Sequence, residues 1–108
     1  MKISIEIETD DKSLLCDLFG VEELKQGAST KLESGPTLVW EETVSRKDAG
    51  LPDIICLSLL GWRDIAVGML STWLYDKLKG RSTKLKIDNK ETPIEKKAIQ
   101  QELDDLII

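Results

Sequence analysis

Residues 51–80 read LPDIICLSLLGWRDIAVGMLSTWLYDKLKG, the long apolar stretch around which the chain is organised. Pro52 suits the first turn of a helix, where its missing N–H is not needed, and Asp53 suits the helix's positive end. One helix over 51–79 would be about 43 Å long at 1.5 Å per residue. A domain of this size has a radius of gyration of about 13 Å, so such a rod would overhang it. The expectation is therefore a helix in two pieces, interrupted at Gly61-Trp62-Arg63-Asp64, where glycine weakens the helix and Asp64 can cap the second piece. That second piece carries a stripe at three- and four-residue spacing: Ile65/Ala66, Met69/Leu70, Trp73/Leu74 and Leu78.

The same stretch has the length of a membrane span, but its charge-free runs cover only 54–62 and 65–75. A span needs about 20 apolar residues, and Arg63 and Asp64 at its middle would each cost roughly 2.5–3.5 kcal/mol. A helix buried in protein is the better reading. Core packing accounts for Trp73, which lies on the stripe. Trp62, Arg63 and Asp64 sit at the interruption, and Trp and Arg are frequent anchors of protein interfaces, so these three are the interface candidates, with core packing the competing reading for Trp62.

Around this stretch the chain alternates strands and helices. Ile3, Ile5 and Ile7 alternate with Lys2, Ser4, Glu6 and Glu8, a strand with one apolar face. Asp10 or Asp11 can cap a helix that begins near Lys12, carries Leu14, Leu15, Leu18 and Phe19 on one stripe, and ends at Gly20. Residues 29–33 and 37–46 flank Ser34-Gly35-Pro36 as a hairpin. Gly80 stops the long helix, and Lys84 to Ile87 alternates as an edge strand would. Asp88-Asn89-Lys90 makes a turn. Thr92-Pro93-Ile94-Glu95 is either a capping box or a short returning strand, and Ile99, Leu103, Leu106 and Ile107 line a terminal helix. The order β-α-β-β-α(broken)-β-α predicts one α+β domain over residues 1–108, a two-layer sandwich of the ferredoxin-like kind.

The 108 residues carry a net charge of −5, unevenly spread: residues 1–50 hold 6 basic and 11 acidic side chains, residues 51–108 hold 9 of each. An acidic surface repels phosphate backbones, so no nucleic-acid partner is expected. Lys77, Lys79, Arg81, Lys84, Lys86 and Lys90 form a local exception, read as cations at a helix C-terminus followed by a charged strand face. Histidine is absent, which removes the commonest general base and the Ser-His and Cys-His nucleophile pairs. Gly80-Arg81-Ser82-Thr83 lacks the Gly-Lys pair of a phosphate loop and follows a helix instead of preceding one. No catalytic residue, cofactor or metal ion is therefore expected. Cys16 and Cys56, each among leucines and isoleucines, read as buried free thiols of a reduced, cytoplasmic protein, and MKISIEIETDD lacks the apolar run of a signal peptide.

Four segments, ISIEIET (3–9), LLCDLF (14–19), LPDIICLSLLGW (51–62) and IAVGMLSTWLYDKLKGRSTKLKID (65–88), together give a pattern that resembles the effector-associated constant component family, small bacterial domains linked with nucleotide-dependent conflict and defence systems. The most specific piece is Leu70 to Leu74 followed by Lys84 to Asp88. The resemblance implies a non-enzymatic adaptor that couples an effector enzyme or sensor to its protein partner. Two other readings stand beside it: a small acidic inhibitor, an immunity or anti-defence protein that occludes a basic site, and a membrane-acting or homo-oligomerising effector using residues 51–80.

Overall fold

The computed structural model describes residues 2–45, 50–61, 66–81 and 83–107. Its elements are β1 (Lys2–Thr9), α1 (Leu14–Phe19), β2 (Ser29–Lys31), β3 (Thr37–Val44), β4 (Asp53–Leu60), α2 (Val67–Leu78), β5 (Lys84–Ile87), β6 (Lys90–Thr92) and α3 (Lys96–Ile107). The strands form one antiparallel sheet in the order β2-β3-β4-β1-β5-β6. Its four inner strands, β3-β4-β1-β5, make two interleaved split βαβ units: α1 lies on the connection from β1 to β3, and α2 on that from β4 to β5. This is the expected α+β sandwich in its ferredoxin-like arrangement, extended by β2 and β6 at the edges and by α3.

The first half of the decisive stretch is corrected. Asp53–Leu60 is a strand, paired with β1 on one side and β3 on the other, and only Val67–Leu78 is helical. A short apolar run such as IICLSLL is equally compatible with a buried helix and a buried strand, because both hide most of their side chains. Pairing on both sides settles it. Ile55, Leu57 and Leu59 point into the core while Ile54, Cys56 and Leu60 point to the other face. Gly61, at φ 87°, ends the strand in a conformation that residues with a Cβ rarely adopt.

Several other expectations hold with small shifts, but the stripe of α2 is narrower than expected: Leu70, Leu74 and Leu78 are buried and Trp73 packs against them, whereas Ala66 and Met69 are exposed. The isoleucines of β1 are buried, α1 ends at Gly20 in the left-handed region, and Asp11 caps its entry by accepting hydrogen bonds from Ser13 N and Oγ at 2.9 and 2.7 Å. Asp88 and Asn89 both have positive φ, the geometry of a tight hairpin, and the chain returns as β6, an element the expected order lacks. Of the two alternatives at Thr92 the returning strand is the one present, and α3 begins only at Lys96.

All three helices lie on one face of the sheet. Leu14, Leu18 and Phe19 of α1, Leu70, Leu74 and Leu78 of α2, and Ile99 and Leu103 of α3 close over Ile3, Ile5, Ile7, Leu38, Ile55, Leu57, Leu59, Leu85 and Ile87. The Cα radius of gyration is 13.2 Å. Among the described residues no helix is long and apolar enough to cross a membrane. Truncating the fully buried Ile7 to alanine should lower stability by about 2–5 kcal/mol in urea titration, whereas Glu91→Ala on an exposed edge strand should change it by no more than about 0.5 kcal/mol.

Candidate functional site

Because the helices cover one face only, the alternate residues of every strand are left on a face that is bare among the described residues. Strand register arranges them in rows. One row runs Glu42, Cys56, Glu6, Lys86, Glu91 across β3, β4, β1, β5 and β6, and the next runs Val44, Ile54, Glu8, Lys84. The bulge in β3 between Trp40 and Glu42 is what brings Glu42 into this row, since without the extra residue the strand's parity would turn it inward. Glu6, Glu8, Ile54, Lys84, Lys86 and Glu91 border a shallow depression of about 220 Å³, and a neighbouring one is edged by Lys2, Ser4, Glu41, Glu42, Cys56 and Ser58. Neither has the enclosure of a small-molecule pocket.

Charge on this face is mixed. Away from it, Arg81 pairs with Asp11 and Asp17, both at 2.6 Å, Lys79 with Asp76 at 3.3 Å, and Lys90 with Glu102 at 2.9 Å. Glu6, Lys84, Lys86 and Glu91 have no ion-pair partner among the described residues although they are cross-strand neighbours. Cys56, between Glu6 and Glu42, is half-buried; that burial, and then the two carboxylates, push its thiol up and keep it protonated. Cys16 is half-buried too, its Sγ donating to Glu22 O at 3.5 Å, so both thiols are more accessible than their apolar neighbours in sequence imply. Among the described residues no group of three or more Cys, Asp or Glu side chains could hold a metal ion.

The interface candidates Trp62, Arg63 and Asp64 lie outside the described residues. The basic run beyond α2 is dispersed by the fold. Lys79 pairs with Asp76 and stands over the Tyr75 ring at 5.6 Å, Lys90 reaches α3, and Arg81 turns back to the β1–α1 junction, which leaves Lys84 and Lys86 to the bare face. The sequence marks Glu6, Glu8, Lys84 and Lys86 as solvated strand faces but gives no sign that they are adjacent. Reading residues 53–60 as helix hides Ile54 and Cys56 from the same surface. Compared with known proteins, the chain matches no family model, no curated protein and no solved structure.

The Arg81 clamp joins the α2–β5 connection to the start of α1 and makes a pH prediction. Hydrogen bonds from Ser13, and then Arg81, hold the Asp11 carboxyl below its usual value, while hydrogen bonding to Asp17, and then Asp11, raises the Arg81 guanidinium. A depressed carboxylate stabilises the fold fully above its ordinary pKa of 3.8 and loses that contribution as pH falls through the folded value. Acid unfolding followed by tryptophan fluorescence should therefore begin at higher pH in Arg81→Ala than in the wild type, with the difference between them narrowing once Asp11 is protonated in both.

Proposed function

We propose that the chain is a non-enzymatic protein-interaction module, an adaptor of a bacterial defence or conflict system working in the cytoplasm, as the resemblance of its sequence pattern implies. The observation that supports this best is the bare face of the sheet. An antiparallel sheet can simply face water on one side. Here, however, that face presents Ile54 and the exposed Val44 and Leu60 beside Glu6, Lys84 and Lys86, which have no ion-pair partner among the described residues. Such a composition suits a protein surface of complementary charge. A catalytic reading has no comparable support, since the chain has no histidine and the thiol on this face is held protonated.

A second reading, a small acidic inhibitor that occludes a basic site, is favoured by one feature: Glu6, Glu41 and Glu42 border one depression of the same face, together with Lys2. The two readings differ in salt dependence, because an inhibitor held by its carboxylates would lose affinity steeply as ionic strength rises.

Tagged protein recovered from its native host should carry a stoichiometric protein partner that binds again when both are purified. Ile54→Arg on the bare face should weaken that binding at least roughly tenfold, whereas Met69→Arg on the exposed side of α2 should not. Recovery of no stoichiometric partner, including a second copy of the chain, would count against the adaptor reading.

A further inference from the structure

We infer that the bare face receives a single helix of a partner protein, laid along β4, with an arginine or lysine seated over Cys56 between Glu6 and Glu42. The inference rests on the reading of this face as a protein-binding surface and names the chemistry of its occupant. Of the three eight-residue strands, β4 alone turns only uncharged side chains to this face: Ile54, Cys56, Ser58 and Leu60. Charged neighbours flank it, since Glu6 of β1 and Glu42 of β3 stand on either side of Cys56. Neither carboxylate has an ion-pair partner among the described residues. Two inter-strand spacings set their backbones about 10 Å apart, so one cation above Cys56 is within reach of both. The surface also dips there. Ser58 is only 2% exposed, between the half-buried Ser4 and Val39, and the depression over this row holds about 360 Å³, with Lys2, Glu6, Glu41 and Glu42 among its lining residues. The Cys56 thiol senses the same field, because after burial it is Glu6 and Glu42 that push it up.

The shape of the uncharged strip selects the occupant. From Ile54 to Leu60 it is about 20 Å long at 3.4 Å per residue, and it is one strand wide. About 14 residues of helix have that length, and a helix satisfies its own backbone groups while one apolar stripe rests on the strip. Ile54 with the exposed Val44 beside it, and the exposed Leu60 at the other end, seat that stripe on both sides of the charged level. Lys86 stands beside Glu6 on the side away from β4 and so lies outside the strip. Such a contact has the size of a helix recognised by a surface groove, where a few anchors carry the affinity. Other occupants fit less well. A second sheet is several strands wide and would press on Lys86 and Glu91 as well, desolvating charges of both signs. An extended segment would bring its own N–H and C=O groups onto β4, whose ladder is already paired on both sides. An acidic helix would meet the two carboxylates directly, and like charges in opposition repel.

The probe is a synthetic helical peptide of about 18 residues, with leucines on one stripe and arginines flanking it, paired with a control in which glutamates replace the arginines. Titrated into isotope-labelled protein, the arginine peptide should shift the amide signals of Glu6, Glu42 and Ile54 to Leu60, and the glutamate peptide should bind at least roughly tenfold more weakly. Glu6→Gln and Glu42→Gln, which remove charge and keep shape on an exposed surface, should each weaken the arginine peptide roughly five- to tenfold, whereas Lys86→Gln should not weaken it. Equal binding of the two peptides, shifts confined to the helical face, or glutamine variants that bind the arginine peptide unchanged would each overturn the inference. So would a wild type that sediments as a dimer and becomes monomeric in Ile54→Arg, since a second copy then holds this face. If neither peptide binds while Ile54→Arg still costs the chain its captured partner, the basic helix is overturned and the adaptor reading stands; if Ile54→Arg spares that partner, the reading of this face fails with it.

Discussion

The structure depends on the hydrogen-bonded ladder that holds Asp53–Leu60 between β1 and β3. Backbone N–H and C=O groups in an apolar run must find partners wherever the run is buried, and a central strand satisfies them on both sides. Were this segment helical, its groups would be satisfied internally, β1 and β3 would lose their shared neighbour, and the two split βαβ units could not interleave. Register through β4 also fixes which residues reach which face along its whole length, since a slip of one position would exchange Ile55, Leu57 and Leu59 with Ile54, Cys56 and Ser58.

That ladder determines both the core and the surface opposite it. The helices converge on the inward residues, and α2 and α3 pack beside one another over the half of the sheet that ends in β6. Arg81 fastens the end of α2 to the beginning of α1 through Asp11 and Asp17, so the helix layer is tied by charge at one end as well as by apolar contact. Among the described residues no element covers the other face. Its rows of charge are thus a product of topology: β1 and β5 are distant in sequence, and only the crossover through α2 sets Glu6 beside Lys86.

Much of this is legible in the sequence because local signals and tertiary structure agree. The alternation of Ile3, Ile5 and Ile7, the stop at Gly20, the hairpin around Ser34-Gly35-Pro36, and the stripe of Leu70, Leu74 and Leu78 each correspond to one element. Asp53–Leu60 is not legible, since a run in which nearly every side chain is apolar carries no period, and Pro52 with Asp53 imitates a helix start. The strand Lys90–Thr92 is too short to have a pattern and is given away only by the turn before it. The bare face is illegible for a further reason. Its residues come from five strands, and their adjacency exists only once the strand order β3-β4-β1-β5-β6 is known.

The central claim, that residues 53–60 form the strand joining the two halves of the sheet, is tested most directly by NMR. Isotope-labelled protein should give extended-backbone carbon shifts over Ile54 to Leu60 and cross-strand NOEs linking Cys56 with both Glu6 and Glu42, the register of β1, β4 and β3. Helical carbon shifts with sequential i to i+3 NOEs from Ile54 to Leu60, and no contacts to β1, would contradict it.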